Sequence, residues 1–436
     1  MAVPQTYHVV TLGCPKNDVD SEHLERLLSG GLEPADDPAD ADAVIVNTCG
    51  FIEQSQAESY AAVEELAAAE RPDQTLIVAG CLTQLYSAEL KQRAPPVDHV
   101  FGVGQWQDVA KLLSVDVDAI YDIPESTPLL DGPSAYLKIS DGCDAPCTFC
   151  VIPKIKGGLR SAPAGMLVKE ARRLVDAGAR ELVLVGQDTT AWGEDMDLPF
   201  ASGLPGLLEM LSEAVGPDTW LRLMYAYPSR LTPRLAETMG RLPNVVPYLD
   251  VPLQHGSQSV LRRMKRPSNV GKVMRGIEDM REAMPDLVLR TSFITGFPGE
   301  TEEEFQELVD FCETIRFDHV GVFTYSRQQW TGADDMEGHL PDELKEERRN
   351  RLMELQQEIS RERAARFVGS QLDLLVEGAG EDEDGDPVIA GRTYREAPEV
   401  DGLTFASGNA EPGERVRIEV QASGDYDLFG VVVDDA

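Results

Sequence analysis

Runs of mostly apolar residues at 7–12, 43–46, 76–79 and 100–103 alternate with amphipathic stretches at 21–28, 54–69 and 83–90. Short buried-type runs separated by helical sequence predict a doubly wound parallel sheet with helices on both faces. A second rhythm begins at 135, with strands predicted at 135–139, 182–185, 220–224, 246–250, 288–294 and 320–325 and helical sequence between each pair. Its clearest helix is 163–177, where Leu167, Ala171, Leu174 and Val175 share a face between a Ser161 cap and a stop at Gly178. Six β/α units with right-handed crossovers close most of the way into a barrel, and the functional rim carries the C-terminal ends of the strands. A charged helix follows at 341–367, with Leu352, Leu355 and Ile359 marking its apolar stripe. Runs at 372–376, 387–394, 415–420 and 428–433, broken by Gly and Asp, predict a small antiparallel β-barrel of about five strands. The expected division is therefore 1–120, a linker at 121–133 with prolines and scattered acids, 134–367, and 368–436.

Three of the first four strands run into a cysteine: Cys14 after VVTLG, Cys49 after VIVNT and Cys81 after LIVAG. Parallel strands end on one edge of their sheet, so the three thiols are brought together although they are far apart in sequence. Convergence of this kind points to a three-thiolate cofactor site, against the plainer reading of three small buried residues at strand ends. A second group, Cys143, Cys147 and Cys150, stands in SDGCDAPCTFC directly after the first barrel strand. Three thiolates on one short loop, with no fourth Cys or His in it, suit a cubic [4Fe–4S] cluster that keeps one iron open. A closed structural zinc site would need four ligands, typically as paired CxxC knuckles. Cys312, on an amphipathic run at 301–315, is expected to be a core thiol, and His255 alone is no sign of a metal site.

The chain of 436 residues is long enough for two or three domains, and its hydrophobic content of 42% supplies their cores. Neither a basic, apolar leader nor a run of about 18 apolar residues is present, so a cytoplasmic protein with no membrane contact is expected. The net charge of −37, with 10 Lys against 29 Arg, fits a surface kept hydrated at high salt and opposes casual binding to nucleic acid. Residues 368–436 carry 17 acids and 4 arginines, a denser negative charge than the rest of the chain.

CxxxCxxC with Phe149 before the third Cys resembles the signature of radical S-adenosylmethionine (SAM) enzymes. Over essentially its whole length the chain resembles the methylthiotransferase family, which implies an N-terminal domain with an auxiliary cluster, a radical SAM partial (β/α)6 barrel and a C-terminal TRAM domain. LGCPKNDVDSE at 12–22, PLQHGSQSVLRRMKR at 252–266 and GRTYREAPEVDG at 391–402 are similar to the branch that modifies small-subunit ribosomal protein twelve. The tRNA-modifying branch reads closer to GCQMN in the first motif. The resemblance implies that Cys14, Cys49 and Cys81 bind the auxiliary cluster and that Cys143, Cys147 and Cys150 bind the SAM-cleaving one. Two [4Fe–4S] clusters and SAM are then the cofactors, and an external donor supplies electrons. One SAM would methylate a sulfur on the auxiliary cluster, and a second would yield the radical that takes a hydrogen from the β-carbon of an aspartate. Such a C–H bond is beyond acid–base catalysis, so the cofactors carry the hard step.

Residues on the rim complete the expected site. Gly186 and Gln187 follow the second barrel strand, Gln254 follows the fourth and Arg290 lies in the fifth. Amide groups suit the amino group of SAM, a guanidinium suits its carboxylate, and glycine admits a nucleoside against the backbone. These four and Phe149 are the expected SAM contacts. The acidic C-terminal unit would attract a basic ribosomal protein and repel phosphate, with nucleic acid met only in the ribosomal context. Gly157 and Ala162 stand where the family pattern has arginines, and QQWTGAD at 328–334 replaces an EEGT-like run. Competing readings are a tRNA adenosine methylthiotransferase, a two-cluster electron carrier or sensor that cleaves no SAM, and a zinc-binding RNA module.

Overall fold

The computed structural model describes residues 4–69, 71–115, 128, 130, 132–196, 198 and 203–433, so most of the expected linker at 121–133 lies outside the described residues. Strands β1 (Thr6–Thr11), β2 (Glu33–Pro34), β3 (Ala43–Thr48), β4 (Thr75–Gly80) and β5 (His99–Val100) form an all-parallel sheet in the order β2-β1-β3-β4-β5. β3 is buried at all six positions, as a parallel strand covered on both faces must be. Helices α1 (Pro15–Leu28), α2 (Glu53–Ala69) and α3 (Cys81–Arg93) cross between the strands. The edge strand β2 was not expected, because two exposed residues give no periodicity to read.

The second sheet begins with β6 (Ser134–Lys138), followed by a short ribbon of β7 (Ser140–Asp141) and β8 (Arg160–Ser161). It continues through β9 (Glu181–Val185), β10 (Trp220–Leu223), β11 (Val245–Asp250), β12 (Val288–Thr295) and β13 (His319–Thr324), all parallel in the order β13-β12-β11-β10-β9-β6. Leu182, Leu184, Leu221, Leu223, Leu249 and Leu289 face the surrounding helices. Cys312 lies fully buried in that core, as expected. The helix Ala164–Asp176 starts after Pro163 with no side-chain cap; Ser161, the expected cap, gives its hydroxyl to Asp195 instead. The helix Asp342–Ala365 leads to the third sheet. There β14 (Gln371–Glu381), β15 (Pro387–Arg392), β16 (Thr404–Ser407), β17 (Arg415–Ser423) and β18 (Leu428–Val432) close into a barrel in the order β14-β15-β16-β18-β17. Its pairs are antiparallel except β16 with β18, which run parallel.

This small barrel stops the inner face of the large one. Val183, Val185, Trp220, Val246, Tyr248 and Val288 form one apolar core with Leu374, Ile389, Ile418 and Leu428. Fully buried charges cross the same boundary. Glu181 accepts from Arg222 at 2.6 Å and from Arg392 at 2.7 Å, and the two guanidiniums hold its carboxyl down to about 2 against the opposing effect of burial. Asp401, on the 397–402 turn, accepts from the Tyr248 hydroxyl at 2.6 Å and lies 3.4 Å from Arg290 and 3.5 Å from His319. Apolar burial drives the docking and the ion pairs fix its register, since each charge is costly unless met by its partner.

A second buried lock joins the first sheet to the large barrel. Asp20 on α1 accepts from Lys138 on β6 and from Lys156, the latter at 2.9 Å. Burial alone would raise its carboxyl, but the two ammoniums outweigh that and keep it below the usual carboxylate range. His23, one turn on, is held down to about 4, first by burial and then by Lys138, with Asp20 pulling the other way. A depressed folded value favours the neutral ring, so its contribution is complete above the ordinary 6.5 and is lost as pH falls through about 4. Replacing His23 by Gln is expected to flatten the pH dependence of the urea midpoint across that window, read by tryptophan fluorescence.

Candidate active site: two groups of three thiols

The first group forms because β1, β3 and β4 end level with one another. Thr11 pairs with Asn47, and Asn47 and Thr48 pair with Ala79 and Gly80, which places Cys49 and Cys81 one residue beyond their strands on the same edge. Cys14 is the residue that precedes α1. Asparagines knit these ends together. Asn17 Nδ2 donates to Leu12 O at 2.7 Å and to Thr48 O at 3.4 Å, and Asn47 Nδ2 donates to Asn17 O at 3.0 Å. The Cys81 thiol faces Asn17 Oδ1 at 3.9 Å. A Cβ on Gly13, at φ +108°, would fall 2.6 Å from Cys49 Cβ, so the approach of Cys49 to this turn requires glycine. Burial foremost pushes the Cys81 thiol up to about 12, with Cys49 and Cys14 adding to it, and Cys49 is raised in the same way with Cys14 contributing. Cys49 and Cys81, whose ionisation is opposed by burial and by neighbouring thiols, form with Cys14 a donor set that a multivalent cation would relieve.

The second group lies on the loop after β7. Cys143 N donates to Gly157 O at 3.1 Å, Cys150 N to Cys147 O at 3.2 Å, and Thr148 N to Met264 O at 3.0 Å. Gly157 takes φ +79°, a backbone that arginine would adopt only under strain, which gives a local reason for glycine there. Arg266, the last residue of the 252–266 motif, reaches the Cys147 thiol at 3.7 Å. Burial pushes Cys150 up to about 12, with Cys147 and Cys143 adding, and Cys143 is raised by burial first and then by Asp188 and Cys147. Among the described residues no three His, Cys, Asp or Glu side chains converge on a single metal ion. Thiolates on three different irons of a cube stand further apart than ligands of one ion.

The two groups are neighbours. Cys81 packs in one apolar cluster with Val151, the residue after Cys150, and with Ile155 one turn further on. A cleft of about 190 Å³ opens beside the second group, lined by Cys143, Asp144, Leu159, Asp188, Tyr227 and Arg230. Of the expected SAM contacts, Phe149 packs against Val260, Met264, Phe297, Tyr325 and Ala333 as a wall behind the cluster loop. Gln187 donates to Asp141 at 3.1 Å, and its Oε1 is buried with no partner, an acceptor left free beside the loop. Gly186 sits where a Cβ would meet Ser140 Oγ at 2.7 Å, so here glycine serves strand packing. Gln254 holds φ +75° and bridges to Phe293 through its backbone. Arg290 lies between two carboxylates of the chain, Nη1 at 2.9 Å from Asp250 and Nε at 3.4 Å from Asp401. Nothing local in the sequence announces Asp401 as its partner, 111 positions away.

Several residues escaped the sequence reading. Lys156 and Lys138 fix the α1 side of the site, and their signal was scarcity, because a lysine kept in an arginine-dominated chain invites a reason. Trp330 in QQWTGAD packs tilted against Tyr86 with ring centroids 5.3 Å apart and Gln328 accepts from Gln56 at 2.9 Å, so that divergent loop ties the large barrel to the first sheet. Gly142, at φ +73°, would place a Cβ 2.1 Å from Gly158 O. The loop must shift to accept it, so Gly142→Ala is expected to lower the iron retained after reconstitution at least as far as losing one thiol does, measured as iron per chain.

Residues 6–102 match the family UPF0004, residues 137–312 the radical SAM superfamily and residues 368–433 the TRAM domain. A ribosomal protein uS12 methylthiotransferase RimO of Herpetosiphon aurantiacus is 42% identical over 468 residues, spanning 98% of this chain and 100% of that protein. The enzyme of the same name from Anaeromyxobacter sp. is 44% identical over 447 residues, spanning 99% and 94%. Among solved structures, the radical SAM methyltransferase TsrM from Kitasatospora setae superposes with a TM-score of 0.56 at 15% identity over 76% of this chain and 77% of that one, a likeness of fold. No described helix is long and apolar enough to cross a membrane. By identity sustained over nearly its whole length, the chain belongs to the family of ribosomal protein uS12 methylthiotransferases.

Proposed function

We propose that this chain attaches a methylthio group to the β-carbon of an aspartate of ribosomal protein uS12, with SAM and two [4Fe–4S] clusters as cofactors. Cys143, Cys147 and Cys150 would hold one cluster, and Cys14, Cys49 and Cys81 the other. The observation that carries this reading is the adjacency of the two thiol groups, joined through Cys81, Val151 and Ile155. When bound, the clusters supply the electron that opens SAM and the sulfur that is transferred. The chain's own part is to bind, orient and exclude water. Three thiols per site would hold a cluster without filling its last position, and the free Gln187 Oε1 is an acceptor suited to an ammonium brought beside the loop. Phe149 and its apolar neighbours keep water from that side of the loop. The domain division proposed is 1–120, 121–133, 134–367 and 368–436, with the protein in the cytoplasm and served by an external electron donor.

Charge fits a basic protein partner. Part of the acid in 368–436 is buried, in Glu396 and the side chain of Asp401, but the hairpin residues Glu381, Asp382, Glu383, Asp384 and Asp386 remain on the surface. Such a face steers a cationic protein and repels phosphate. The test is the mass of uS12 from cells with and without the gene. A methylthio increment on an aspartate, present only with the gene, is the expected result. An unchanged uS12 together with loss of methylthio from tRNA adenosine would overturn it.

A further inference from the structure

Six of the ten lysines are exposed, and the other four are Lys16, Lys138, Lys156 and Lys345. Three of those four are matched by carboxylates: Lys138 and Lys156 by Asp20, and Lys345 by Asp342 at 2.9 Å. Lys16 is the exception, with no carboxylate within 4.0 Å among the described residues. It sits two positions after Cys14 in the first turn of α1, a helix end whose free N–H groups also favour negative charge. Its ammonium lies 3.5 Å from the centroid of the Tyr225 ring. Tyr225 holds φ +59°, a left-handed backbone costly for an aromatic residue, and its amide is pinned to Asp250 Oδ2 at 3.0 Å. Asp250 makes no direct pair with Lys16 and acts on it only at longer range, its second oxygen accepting from Arg290 at 2.9 Å. The Tyr225 carbonyl in turn accepts from Thr189 N at 3.2 Å, next to Asp188 in the wall of the cleft beside Cys143. Lys16 therefore spans from the first thiol group to the strand ends that border the second. It carries a positive charge with no direct ion pair among the described residues, in a half-buried place and held against an aromatic face.

We propose that Lys16 is a specificity-determining residue whose ammonium receives the side-chain carboxylate of the aspartate to be modified, an inference that rests on the function proposed above. The carboxylate is bonded directly to the β-carbon, so gripping it holds the reacting carbon one bond away, at the meeting of the two thiol groups. An ammonium with no carboxylate in direct contact is the complement such a substrate needs, and a neutral substrate leaves it without an ion pair. The same chemistry could be met by the methionyl carboxylate of SAM, and the experiment separates the two sources.

Affinity of the reconstituted full chain is measured for uS12 and for uS12 with the modified aspartate changed to asparagine, which keeps the shape and removes the charge. The unchanged chain is expected to prefer the aspartate form on the order of tenfold or more, the worth of a hydrogen bond to a charged group. At equal iron content, Lys16→Met should bring that ratio to about one, since Met fills the space over Tyr225 without charge, while Lys16→Arg should keep a preference. A ratio unaltered in Lys16→Met overturns the proposal. So does a loss of SAM affinity in its place, which would assign the ammonium to SAM. Absence of any preference in the unchanged chain overturns it without recourse to a variant. Failure of the functional reading is distinct: the unchanged chain then attaches no methylthio group to uS12.

Discussion

Cys49→Ala is expected to abolish sulfur attachment to uS12, by a factor on the order of 100 or more, while SAM is still cleaved to 5′-deoxyadenosine at close to the original rate. Cys49 is buried at the end of β3, and with Cys14 and Cys81 it makes a donor set separate from the CxxxCxxC loop. Removing one thiol from this set leaves the Cys143, Cys147 and Cys150 loop with its own backbone supports, Gly157 O and Met264 O, intact. Quantifying deoxyadenosine and methylthiolated uS12 in one reaction reads both halves at once. Equal loss of the two would mean that the groups are not chemically distinct. Retention of both would mean that Cys49 is only a core thiol.

A second large effect is structural. Glu181→Ala is expected to destabilise the folded chain by about 3–5 kcal/mol, because it strands the buried Arg222 with no carboxylate and leaves Arg392 with only Glu377. The loss falls at the boundary between the large and small barrels, so urea unfolding should show the two separating earlier than in the unchanged chain. Replacing Glu181, Arg222 and Arg392 together with apolar residues of similar size should recover most of the loss, since the desolvation cost disappears with the charges. A cost below about 1 kcal/mol for the single change would show that water reaches this contact and that the ion pairs are not what fixes the docking.

The coarse architecture was legible because its signals are local. Apolar runs with helical sequence between them mark parallel strands, and a cysteine one residue beyond β3 and β4 needs only the level ends of a parallel sheet to meet its fellow. The cluster loop was legible for the same reason, its three thiols lying within eight residues. What sequence reasoning missed is long-range or very short. The strand at β16 has four residues, too few to show a period, and β2 has two. Arg290 reads as a partner for a carboxylate, and Asp250 and Asp401 of the chain itself are two such partners. No window contains both ends of that contact. Nor does any window show that the APEVDG turn enters the large barrel, where Asp401 meets Tyr248 and His319. The sequence marked that turn as distinctive, and the structure supplies a physical reason for its aspartate.

The central claim is that two separate thiol groups each hold a four-iron cluster at one cavity. Iron and acid-labile sulfide per chain, measured after reconstitution of the full chain and of two triple variants, test it most directly. One variant changes Cys14, Cys49 and Cys81 to alanine, and the other changes Cys143, Cys147 and Cys150. The account predicts about eight irons in the unchanged chain and about four in each variant. About four in the unchanged chain, or about eight in either variant, would contradict it.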